Sequence, residues 1–101
     1  MRDTKSVALT VRRCEDVFEC VRSAVGLGME NFSVGLFVIG AEIDVGELEK
    51  TFKENLETIE DLEGEIFSNV AKNAERYPAI RLVTLEDMAQ RLVNYDLMAG
   101  F

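Results

Sequence analysis

The run FSVGLFVIG, residues 32–40, is the most apolar stretch of the chain and does most to limit the folds open to it. It is far shorter than the ~20 residues that a membrane-spanning helix needs. Asn31 and Gly40 bound it. An unbroken apolar run of this length, with no polar alternation, suits a strand buried on both faces at the centre of a parallel sheet. Such a strand requires helices above and below it.

The rest of the chain supplies them. SVALTV, residues 6–11, reads as a first buried strand because it is short, apolar and β-branched. Val17, Cys20, Val21, Ala24 and Leu27 then recur at helical spacing, with Glu15 and Asp16 in the first turn, where carboxylates suit the helix dipole. Gly26 and Gly28 weaken the end of that helix. Residues 46–62 carry a stripe of Leu48, Phe52, Leu56, Ile59 and Leu62 opposite a charged face, with Glu49 and Lys53 spaced for an i,i+4 pair. Gly64 marks its stop, and residues 65–70 form a third strand. A short helix at 71–77 ends at Pro78, and a fourth strand occupies 79–84. Thr84 with Asp87 opens a last helix, residues 85–94, that buries Leu85, Met88 and Leu92. YDLMAGF offers a fifth strand. Strands alternating with helices at this spacing predict a single α/β domain over residues 1–101: a three-layer α/β/α sandwich on a mostly parallel sheet of four to five strands.

Composition narrows the chemistry. With 101 residues, 48% apolar and 30% charged, the chain has enough apolar side chain for one core. A formal charge of −8 excludes nucleic acid as a partner, since phosphate backbones demand a basic footprint. The chain contains no histidine, which removes Ser-His and Cys-His nucleophile pairs and imidazole ligands. Two cysteines outside any Cys-x-x-Cys spacing imply neither a disulfide framework nor a metal or iron–sulfur centre. No cofactor is expected. MRDTKS lacks the apolar segment of a secretory leader, so the expected location is cytoplasmic, away from the membrane.

In an open α/β sheet, ligands bind outside the carboxyl ends of the strands. That rim is predicted to hold Arg12, Arg13 and Cys14 after the first strand, Gly40 and Glu42 after the second, Ser68 and Asn69 after the third, and Thr84 after the fourth. VGLG lies at a helix end, outside the strand-to-helix context of a dinucleotide fingerprint, and no aspartate ends the third strand as a phosphoacceptor would require. Cys20 falls on the apolar stripe and reads as a core residue. Cys14 sits where a helix N-terminus and two arginines favour a thiolate, opposed by Glu15 and Asp16. Six residues along one helix put the two thiols roughly 9 Å apart axially, beyond disulfide reach. Arg12 and Arg13 are placed to cradle an anion or a partner's carboxylate.

The order of elements resembles the DsrE/DsrF/DsrH-like family of small sulfur-relay proteins, which includes TusB, TusC and TusD. The resemblance is carried by VRSAVGLG in the first helix, FSVGLFVIGAEI in the second strand and its turn, GEIFSNVAKNAERY, and IRLVTLEDMAQRLVNYDLMAGF. It implies a trimeric or hexameric homo-oligomer, or a hetero-oligomer with cysteine-bearing paralogues. Persulfide-carrying members place their cysteine at the end of the third strand, where this chain has Phe67, Ser68 and Asn69. The resemblance therefore points to a member without that cysteine, serving a structural or binding role in sulfur relay rather than catalysing a reaction.

Two other readings stand beside it. A sulfurtransferase or persulfide carrier would use Cys14 as a relocated catalytic nucleophile, with Arg12 and Arg13 steadying the anion. An unrelated α/β binding module would dock a basic protein through its acidic helix, because residues 42–65 hold ten acidic residues against two lysines.

Overall fold

A computed structural model describes residues 5–101. The elements, in chain order, are β1 (Ser6–Val11), α1 (Cys14–Met29), β2 (Ser33–Val38), a 3-10 turn (Gly46–Leu48) leading into α2 (Glu49–Asp61), β3 (Glu65–Ser68), α3 (Ala71–Arg76), β4 (Ile80–Leu82), α4 (Leu85–Leu92) and β5 (Leu97–Gly100). The five strands form one sheet in the order β4-β3-β2-β1-β5, and every pairing is parallel. The chain is an α/β protein of three layers, α/β/α, with four α-helices around a parallel sheet.

Handedness explains the layers. From β1 to β4 each crossover steps one strand in the same direction, so right-handed connections place α1, α2 and α3 on one face. The β4-to-β5 connection runs back across the whole sheet, which sends α4 to the other face. Strand alternation then divides the core. Val7, Leu9 and Val11 of β1 and Val34, Leu36 and Val38 of β2 meet α1 and α2, through Val17, Cys20, Phe52 and Leu56 among others. Ala8, Phe37 and Phe67 point the opposite way and meet Met88 of α4. β2 is buried from Val34 to Val38, as a central strand covered on both faces must be.

The two faces are packed differently. The α1–α2 face is mainly aliphatic. Its aromatic corner is Phe52 against Tyr77, edge-on with ring centroids 5.1 Å apart. The Tyr77 hydroxyl donates to Glu49 Oε1 at 2.7 Å, which ties the end of α3 to the start of α2 and holds the Glu49 carboxyl below its ordinary pKa. On the α4 face, Phe37 stacks on Phe67 at 5.0 Å, Tyr95 meets Phe37 edge-on at 5.8 Å, and the Arg91 guanidinium lies 4.6 Å from the Phe67 ring centroid.

Several expected boundaries and burials shift. α1 continues through Gly26 and Gly28 to Met29, and the turn to β2 is made by Asn31 at φ 74°. After α2 the positive φ falls on Glu63, at 64°, so Gly64 is not needed for its conformation. It is needed for its size, since a Cβ there would meet Ile59 Cγ2 at 2.7 Å and the Val34 carbonyl oxygen at 3.2 Å. Strands three and four stop at Ser68 and Leu82, short of their predicted ends at 70 and 84. Leu48, Leu62 and Leu85, expected in the core, are exposed, because each lies at a helix end beyond the sheet that would cover it. The cap on α4 forms as predicted, with Asp87 N–H donating to Thr84 Oγ1 at 3.1 Å, and so does the Glu49–Lys53 pair, at 3.7 Å. No helix among the described residues is long and apolar enough to cross a membrane.

Gly35 in β2 lies directly beneath the Tyr95 ring, so that an added Cβ would collide with the phenol. Gly35→Ala is expected to cost about 1–3 kcal/mol through overpacking. In urea unfolding the double variant Gly35→Ala/Tyr95→Ala should be less destabilised than the sum of the two single changes.

Candidate functional site

Crossover geometry also locates the crevice. β3 leads into α3 on one face and its neighbour β4 leads into α4 on the other, so the two loops part at the carboxyl ends of these strands. Such a switch point is where open α/β sheets bind ligands. An open cavity of about 510 Å³ lies there, lined by Asn69, Ala71, Leu82, Val83, Thr84, Leu85 and Asp87. Its floor is apolar and its polar groups are an amide, a hydroxyl and a carboxylate. Leu82 and Leu85 line it while half-exposed, at 52% and 56%. It contains no thiol, no amine and no guanidinium. This lining suits a neutral or apolar group seated by a few hydrogen bonds.

Beside the cavity, the rim is braced by hydrogen bonds between its own loops. Gly40, at φ 72°, turns the chain out of β2 in a conformation that side chains disfavour. Its N–H donates to Asn69 Oδ1 at 2.7 Å, joining the loops after β2 and β3. Glu42 pairs with Lys72 at 3.6 Å across the same junction, an exposed contact of small energetic weight. Ser68 lies beneath the rim rather than on it, fully buried, with its hydroxyl accepting from Val70 N–H at 3.1 Å and Asn73 Nδ2 at 3.0 Å. It is unavailable to a ligand.

Asn73 is the residue that sequence reasoning missed. Its side chain donates to the Ala41 carbonyl at 2.8 Å and to Ser68 Oγ, and accepts from the buried Ile43 N–H at 2.8 Å. One buried amide thus satisfies three groups and fixes the loop between β2 and α2. Its only sequence signal was a polar residue in the short helix following a strand, which is too common to single out.

Arg12, Arg13 and Cys14 lie elsewhere on the rim. β1 is two strands from β3, so about 10 Å separates their carboxyl ends. Cys14 is the first residue of α1, half-buried, with Sγ 3.4 Å from the Asp44 carbonyl oxygen. Arg13 Nε bonds Asp16 at 3.1 Å and lies 3.6 Å from Glu15, and these acids hold its pKa above the ordinary value. Its charge is engaged locally by these two acids. Arg12 is exposed. Cys20 is buried in the core, and burial pushes its thiol up to about 12. Among the described residues no group of three or more histidine, cysteine, aspartate or glutamate side chains is placed to hold a metal ion. No family model and no curated protein matches the chain.

Two outcomes follow from this geometry. Asn73→Ala leaves the Ile43 N–H unpaired and is expected to cost roughly 3 kcal/mol, with faster hydrogen exchange at Ile43 than at the strand amides of β1. A thiol reagent added to the folded protein should modify Cys14 alone, and Cys20 should react only after denaturation.

Proposed function

We propose that this chain is a DsrE-like oligomeric protein of the cytoplasm that plays a structural or binding part in sulfur relay without carrying sulfur itself. In this reading it assembles as a homo-oligomer, or with paralogues that bear the carrier cysteine. The observation that carries the reading is the chemistry at the carboxyl end of β3. The resemblance puts a carrier thiol there. Here Ser68 is buried in hydrogen bonds to Val70 and Asn73, and Asn69 is occupied in holding Gly40. The adjoining cavity offers an apolar floor with an amide, a hydroxyl and a carboxylate, a lining fit for docking rather than for nucleophilic attack.

Persulfide transfer through Cys14 is the competing reading. What favours it is a cysteine at the first residue of a 16-residue helix, half-buried rather than sealed in the core as Cys20 is. The neighbouring positive charge is weaker than the sequence implies, because Arg13 is paired with Asp16 and Glu15.

Mass spectrometry after incubation with polysulfide separates the two. The proposal expects no added sulfur atom under conditions that load a cysteine-bearing carrier. A stable one-sulfur adduct that disappears in Cys14→Ser would replace it with the carrier reading. Light scattering at micromolar concentration should give a mass above that of one chain, and a strict monomer would count against the assembly.

A further inference from the structure

The two edges of the sheet differ in how they are protected. β4 is three residues long, follows Pro78, and carries Arg81, which pairs with Glu65 at 3.6 Å. Brevity, a nearby proline and a charged side chain are the usual devices that keep an edge from pairing with another chain. β5, at four residues, is also short, but it has no proline and no charged side chain. Leu97, Met98, Ala99 and Gly100 carry no charge and are all exposed, Leu97 at 50% and Met98 at 61%. Exposed Val93, in the turn leading into β5, and Phe101, just after it, extend the apolar surface.

The outer edge of β5 also presents unused backbone. Phe101 N–H donates inward to the Thr10 carbonyl at 2.8 Å. Strand alternation then turns the N–H and C=O groups of Met98 and Gly100 outward, where no described strand pairs with them.

Charge selects the occupant and its direction. Each copy carries a formal charge of −8, so two copies repel except where side-chain charge is absent or complementary. Residues 97–101 have no charged side chain. Asp96 stands at one end of β5, its carboxylate accepting from Ser6 N–H at 2.8 Å and from the Ser6 hydroxyl at 3.2 Å, and these bonds lower its pKa. At the other end Thr10 lies opposite Gly100, so exposed Arg12 emerges two residues past that pairing and forms no ion pair among the described residues. Parallel apposition of two β5 strands would set Asp96 beside Asp96. Antiparallel apposition carries each Asp96 to the arginine end of the other copy.

We propose that the open edge of β5 pairs antiparallel with β5 of a second copy, about a two-fold axis at Met98, joining two five-stranded sheets into one. In this register Met98 faces Met98 of the second copy on the α4 side of the sheet, and Leu97 faces Ala99 on the other. The outward N–H and C=O groups of Met98 bond reciprocally, and the Gly100 N–H meets the Asp96 carbonyl, since the Asp96 N–H already donates to Ser6 Oγ at 2.9 Å. The inference rests on the oligomeric reading above and narrows it, because a two-fold contact builds a dimer or a hexamer and never a lone trimer.

Sedimentation and light scattering of the full chain test the pairing, with far-UV circular dichroism to verify folding. Met98→Lys sets two ammonium groups against each other at the axis, and should raise the dissociation constant of this contact about a hundredfold or more. Gly100→Pro removes an outward N–H while leaving the inward bonds to β1 intact, and should have the same effect even if Met98→Lys fails to fold. Met29→Lys, at an exposed apolar residue on α1, should leave the mass unchanged. An even-numbered wild-type assembly split by the β5 variants supports the pairing. A trimer, or an assembly that a folded β5 variant leaves intact, overturns the pairing and leaves the oligomeric reading standing. A monomeric wild type overturns the pairing and the homo-oligomeric form of that reading together.

Discussion

The right-handedness of β-strand crossovers is the constraint on which the rest of this structure depends. Four strands laid down in one direction must put their three helices on a single face. The return from β4 to β5 must then cover the other face with α4 alone. From that one rule follow the two unequal cores, the part-covered α4 face, the parting of loops between β3 and β4, and the exposed position of β5. None of these requires a special residue. They require only that the strands stay parallel and the connections stay short.

A crevice made by topology still needs its loops held in place, and here a single buried amide does most of that. Asn73 reaches the Ala41 carbonyl, the Ile43 N–H and Ser68 Oγ, and its loss would leave desolvated groups without partners. This bracing has a chemical consequence. Polar groups committed to one another are poor nucleophiles and poor ligands, so the rim beside the cavity is stiffened rather than made reactive. Cys14 stands apart from it, held near the Asp44 carbonyl and flanked by acids that engage Arg13.

The aromatic side of the molecule follows a different logic. Phe37, Phe67 and Tyr95 cluster under the short helix α4, with Arg91 over the Phe67 ring. Large rings compensate for the small helix, since each buries more area than an aliphatic side chain. Gly35 is part of that arrangement, for only a residue without Cβ leaves room for the Tyr95 phenol. β5 lies at the margin of the α4 face, with Met98 beside Ala8 of β1 and still exposed.

Much of this was legible in the residues themselves. Apolar periodicity of 3.6 marked Val17, Cys20, Val21 and Ala24 as the buried face of α1. The unbroken run at 32–40 marked β2 as central. The Thr84–Asp87 spacing marked the cap of α4. These signals are local, because they depend on which face of one element is apolar and on a backbone N–H bonding a side-chain hydroxyl three residues earlier. Strand order, the separation of Arg12–Cys14 from Asn69, the burial of Ser68 and the role of Asn73 were decided only when distant segments met. A hydroxyl at a strand end looks the same in sequence whether it faces water or an amide five residues further along the chain. Leu48, Leu62 and Leu85 show the same limit from the other side: helical spacing gave them an apolar face, but the sheet ended before it could cover them. Periodicity along the chain determined what each element would bury, and the handed packing of all of them decided which groups were left to meet something else.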